Sequence, residues 1–235
     1  MLLVCEESSR EALAQGTLGW GDVIPVGSTF QDANSSTDRP FSFSSSRFQQ
    51  VYRANNFVSP GQYGGVLVAR MGFRLDATNG TLINNETATL EVRMSTTSRA
   101  PDSLSPVYAD NIGLDNTLVF SGTIQWAANP SPGGGAQAFE LPIFLQQEFL
   151  YRPALGNLLV DITVSTSTIR AQLDAWQQSP DPVSVVYGSS ASGSGTLSTI
   201  GLVTRFDGTL VPEPAPILLA LIGCLTMRFL KGRKR

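Results

Sequence analysis

The sequence predicts an all-β protein: an antiparallel β-sandwich or jelly-roll-like body followed by a C-terminal hydrophobic helix. Three observations carry this expectation. Apolar and polar residues alternate at period two along much of the chain, as in strands with one buried face. Clusters of Gly, Pro, Ser and Asn separate these stretches and supply the backbone conformations that turns require. Charged residues make up 15% of the chain, against about 25% in ordinary soluble domains, and Ser, Thr, Asn, Gln and Gly provide the polarity instead. That composition disfavours helices. No strand–helix alternation marks a parallel sheet, and no repeat of fixed period is present.

The expected strands can be taken in order. Arg47 to Tyr52 and Val66 to Leu75 come first. In the third, Ala88 to Met94, Leu90, Val92 and Met94 share one face while Glu91 and Arg93 share the other. Thr117 to Trp126 and Ala138 to Phe144 follow. From Asn157 to Ser165, the residues Leu158, Val160, Ile162 and Val164 point one way and Asp161 and Thr163 the other. Thr168 to Leu173, Val183 to Tyr187 and Leu202 to Leu210 complete the set. Asp76 to Gly80, Asn129 to Gly135 and Ser189 to Gly195 form the turns between them, the last as a hairpin loop. A length of 235 residues suits a single all-β domain. The expected organisation is an N-terminal segment over 1–25, a β-sandwich over 26–210 and a distinct tail over 211–235.

The N-terminal segment reads as a truncated or mis-started leader. Met1-Leu-Leu-Val-Cys5 is apolar, but Glu6 and Glu7 follow at once. Ala12-Leu-Ala14 has the small residues of a cleavage site without the apolar region that precedes one in a secretory signal.

The tail combines three physical features. Pro212, Pro214 and Pro216 stop a strand or helix from running through the junction. An apolar run follows, with Ile217, Leu218, Leu219, Leu221, Ile222 and Leu225 distributed all round a helix and not along one stripe. Arg228, Lys231, Arg233, Lys234 and Arg235 then close the chain without an acidic residue, the charge bias retained on the cytoplasmic side of a membrane. The run is short against the roughly 20 residues that span a bilayer; Phe229 and Leu230 extend it if Arg228 snorkels.

Pro212-Glu213-Pro214, the apolar segment behind it and the basic terminus together resemble the PEP-CTERM sorting signal of Gram-negative bacteria. The resemblance covers about the last tenth of the chain. It implies export, a transient inner-membrane intermediate and recognition by an exosortase-type membrane processing enzyme that removes the tail. It further implies a destination at the cell surface or in the extracellular matrix, where exopolysaccharide and biofilm components are the expected company. Arg47-Phe-Gln-Gln-Val-Tyr52, Met94-Ser-Thr-Thr97, Pro101-Asp-Ser-Leu104 and the stretch Tyr151 to Asp161 also look like segments of some PEP-CTERM protein bodies, and they transfer no biochemical role.

The remaining chemistry is sparse. The chain has no histidine, which removes the usual imidazole base and imidazole metal ligand together. Its cysteines, Cys5 and Cys224, lie outside the expected body, so no disulfide or thiolate zinc site is expected within it. Body arginines are scattered singly, which excludes the clustered positive surface that nucleic acid requires. Asp110-Asn-Ile-Gly-Leu-Asp-Asn116 offers oxygen ligands for calcium, though such clusters usually form turns. Glu86, Glu91, Glu140 and Glu148 are the carboxylates from which a glycosidase pair would have to come. Trp20, Trp126, Trp176, Tyr52, Tyr63 and Tyr187 are candidates for stacking on sugars, with core packing as the competing use. The expectation is a non-enzymatic envelope or matrix protein without a cofactor, with a carbohydrate-binding, lectin-like module as the alternative.

Overall fold

The structure, a computed structural model, describes residues 19–25, 28, 31–131, 135–178 and 182–212. Its strands in chain order are β1 (Gly19–Ile24), β2 (Ser35–Thr37), β3 (Ser46–Tyr52), β4 (Gly65–Phe73) and β5 (Ile83–Thr97). Then come β6 (Thr117–Ala128), β7 (Leu141–Tyr151), β8 (Asn157–Ser167) and β9 (Leu173–Gln177). The last four are β10 (Val183–Ser189), β11 (Thr196–Ser198), β12 (Ile200–Leu202) and β13 (Thr204–Val211). One short helix, α1 (Val58–Gln62), and three 3-10 turns interrupt them. Among the described residues no helix is long and apolar enough to cross a membrane.

Three antiparallel sheets result, with strand orders β1-β13-β4-β7, β11-β10-β3-β8-β5-β6 and β12-β9-β2. The protein is all-β and sandwich-like. Side chains from the two larger sheets join in one apolar core: Trp20, Val66, Met71, Ile143 and Phe206 from the first, and Phe48, Leu90, Val92, Val160 and Ile162 from the second. Aromatic rings tie the layers edge to face. Tyr52 meets Phe206 at 5.0 Å between centroids, Phe57 meets Tyr151 at 4.8 Å, and Phe41 meets Trp126 at 4.7 Å. Each such ring removes a large apolar area from water and gains from the offset of its quadrupole.

The six-stranded sheet is buried over part of its second face as well. There the segment between β5 and β6 folds back over β3 and β8, and Leu104 and Tyr108 pack on Val51, Leu159 and Val186. This is why β3 carries Gln49 and Gln50, both fully buried, in a run otherwise typical of a half-buried strand. Gln49 serves the outer layer, donating to Asp161 Oδ2 at 2.8 Å. Gln50 serves the inner one, donating to the Leu202 carbonyl and accepting from the Leu202 N–H, each at 2.8 Å.

Several strands lie where the alternation places them, and the differences have physical reasons. β1 falls within the 1–25 segment expected to be a leader remnant, yet its six residues pair with β13 from Gly19↔Thr209 to Ile24↔Thr204. Gly19 and Gly21 present no side chain and blur the alternation that Trp20 and Ile24 would otherwise announce. The stretch expected as a strand over 168–173 joins no ladder before Leu173. The expected strand 202–210 is divided: β12 ends at Leu202 in the small sheet and β13 begins at Thr204 in the four-stranded one. The Val203 N–H, released at that corner, bonds to the Asp174 carbonyl at 3.0 Å.

Candidate functional site

β13 runs between β1 and β4 in the four-stranded sheet, with Phe206 and Leu210 turned into the core. Its Thr204 hydroxyl lies 2.8 Å from the Tyr52 hydroxyl, and burial pushes the Tyr52 phenol well above its ordinary pKa. At Gly208 the strand carries a bulge, where a Cβ would run into the Leu67 carbonyl of β4, so only glycine permits that approach. The ladder ends with Val211 opposite Gly65. Pro212 is exposed and has no N–H with which to extend the pairing. The remaining sorting residues, Glu213 and Pro214, lie outside the described residues, as do Ile217, Leu218, Leu219, Leu221, Ile222, Leu225, Arg228, Lys231, Arg233, Lys234, Arg235 and the expected C-terminal helix.

The candidate calcium loop does not gather its oxygens around a centre. Asp110 Oδ2 accepts from the Ser105 hydroxyl at 2.7 Å, and Asp115 Oδ1 accepts from the Thr96 N–H at 2.6 Å. Asn111 is fully buried, donating to Gln49 Oε1 at 3.1 Å and to the Ser105 carbonyl at 2.9 Å while accepting from the Ser105 N–H at 2.8 Å. At Gly113 a Cβ would overlap the Thr96 carbonyl, so glycine is what lets the loop lie this close to β5. These residues pin a loop.

The glutamates are dispersed. Glu86 and Glu91 lie on β5, Glu148 lies on β7, and Glu140 precedes it. Glu86 accepts from the Arg170 N–H at 3.0 Å, and the other three are exposed. Of the aromatic candidates, Trp20, Trp126 and Tyr52 are core residues. Trp176 is half-buried against the core, and Tyr187 lies beneath the Arg39 guanidinium, 4.0 Å from its ring. Tyr63 alone of the six is exposed. Their apolar area is used in packing, and they form no shared sugar-stacking platform.

One cluster has no signature in the sequence. Asp32, Asp76 and Asp174 bring carboxylate oxygens within 4.8 Å of one another beside an open cleft of roughly 350 Å³. Three carboxylates so close are the kind of set that could hold a cation. Here at least one oxygen of each carboxylate has a protein partner. Asp174 Oδ2 accepts from Arg74 Nε at 2.6 Å, and its Oδ1 accepts from the Ala33 N–H at 3.0 Å. Asp76 Oδ1 accepts from the Thr78 N–H at 3.0 Å, and Asp32 Oδ1 from the Ala77 N–H at 3.1 Å. Burial pushes the Asp174 carboxyl up to about 6, with the Arg74 guanidinium pulling the other way. Burial likewise raises Asp32, with the Ala77 N–H opposing it. The arrangement latches three separate segments together, and the buried Arg74 guanidinium supplies its counter-charge.

No family model, curated protein or solved structure matches the chain.

Proposed function

We propose that this is an exported, non-enzymatic envelope or extracellular-matrix protein, sorted through its C-terminal PEP-CTERM-like signal by an exosortase-type enzyme. One observation supports the reading above the others: the last ladder pair is Val211↔Gly65, and Pro212 follows it at once, exposed. A processing enzyme needs its recognition sequence outside the hydrogen-bonded sheet, since a strand inside a ladder offers no free backbone edge. The motif begins one residue beyond that ladder. In this reading, the apolar segment from Ile217 is a membrane helix held by the basic terminus, and the body is a jelly-roll-like sandwich presented outside the cell.

Replacing Pro212, Glu213 and Pro214 by alanine in the native host tests the reading. The expected outcome is full-length protein held in the inner membrane at unprocessed mass. Arrival of that variant at the surface with the same mass as the wild type would reduce the tail to an anchor and remove the sorting role.

A further inference from the structure

We propose that the end of the sandwich from which the chain leaves β13 is a lipid-facing surface, on which the body rests against the membrane before release. This rests on the sorting reading above, because the tail is what brings the body to the bilayer.

The ladders place the relevant elements at one end. Val211 pairs with Gly65, the first residue of β4, and Val66 pairs with Tyr151, the last residue of β7. Helix α1 leads into β4 and packs on β13 and on the 3-10 turn Pro153–Leu155. That turn opens β8, whose Asn157 pairs with Thr97, the last residue of β5. Gly113 abuts Thr96 and carries Leu114 to the same end. Four of the ten large apolar side chains exposed among the described residues therefore gather where the chain departs: Val58, Tyr63, Leu114 and Leu155. Leu155 is 69% exposed and Leu114 fully so. Single exposed apolar residues are ordinary, but a group of them at the tether point has a use.

The charges around this group are of both signs. Arg53 and Arg152 stand in the segments 53–64 and 152–157, which contain no aspartate or glutamate. Asp115, next to Leu114, and Glu148 line one cleft together with Arg152 and Leu155. Leucine and valine to enter the acyl boundary and tyrosine for the interface are groups that bind a membrane surface without crossing it. The tether selects this end. Residues Pro212 to Pro216 reach at most about 18 Å when fully extended. β5 alone, at 15 residues, spans about 50 Å. The opposite end, where Leu82 precedes β5, therefore lies beyond the tether's reach while this end rests on the bilayer.

The experiment uses the full chain carrying Cys5→Ser and Cys224→Ser, labelled with a fluorophore through Tyr63→Cys, Leu155→Cys or Leu82→Cys. Each labelled protein is reconstituted with vesicles of phosphatidylethanolamine and phosphatidylglycerol that contain a lipid-borne quencher at headgroup depth. The expected result is loss of fluorescence at positions 63 and 155 and none at 82. Chain that floats with the vesicles but shows equal quenching at all three positions would overturn the lipid-facing surface and leave the tail reading intact. Shielding of 63 and 155 from an aqueous quencher without lipid quenching would overturn the lipid-facing surface and assign it to contact between copies of this chain. Chain that fails to float with the vesicles at all would overturn the tail reading, and this proposal with it.

Discussion

Arg74 and Asp174 are separated by 100 residues in the chain and meet with both side chains fully buried. The guanidinium also donates to the Gln31 carbonyl at 2.6 Å and lies over the Phe139 ring at 4.9 Å. Removing one member of such a pair leaves the other charge buried without its counter-charge, which costs about 3–5 kcal/mol. Arg74→Ala is therefore expected to lower the unfolding free energy by about that amount in urea denaturation. A loss below about 1 kcal/mol would mean that water reaches Asp174 and replaces the arginine. None of this was legible beforehand. Asp32, Asp76 and Asp174 sit in ordinary turn or strand contexts, and nothing in their spacing announces that three segments converge. The Asp76 to Gly80 turn was legible, because a short acidic side chain followed by Asn and Gly binds its own backbone wherever it occurs.

At the scale of elements, the loop 98–116 does more than connect β5 to β6. It supplies a second apolar layer, and its hydrogen bonds converge on Asn111 and Gln49. Truncating Asn111 to alanine strands the buried Gln49 Oε1 and leaves the half-buried Ser105 N–H and carbonyl without their partner. The expected cost is about 2–3 kcal/mol. Faster amide hydrogen exchange should appear in residues 98–116 and on β3 before it appears in β4 or β13. Uniform acceleration across both larger sheets would show instead that the loop has no separate stability. β5 was readable because burial on one face imposes period two on local sequence, and β8 because its inward set is uniformly apolar, although Leu159 and Asp161 on its other face are buried as well. β2, β11 and β12 were not. Each is three residues long, too short to show a period, and each exists because a neighbouring strand offers it an edge. The turn from β12 to β13 was hidden for a related reason. Leu202, Val203 and Thr204 are all buried, so burial continues through the point where the chain changes sheets.

For the whole molecule, β13 marks the end of the paired sheet. It is an interior strand with partners on both sides, so removing residue 204 onward should abolish cooperative unfolding. Cutting the chain after Pro212 removes no ladder pair and no core residue found among the described residues, and the urea midpoint is expected to stay at its wild-type value. A fall in that midpoint would place stabilising contacts beyond Val211. The all-β class, the approximate position of most long strands and the change in character after Val211 were determined by the sequence by itself. Each is a local property: alternation follows from the pleat, prolines end ladders through their missing N–H, and apolar runs with basic ends report on the solvent they meet. Only the tertiary structure decided that β1 is part of the body, that β3 and β8 are covered on both faces of their sheet, and that Arg74 meets Asp174. Those outcomes depend on sheet order and on contacts between residues far apart in the chain, which the period of a strand does not encode.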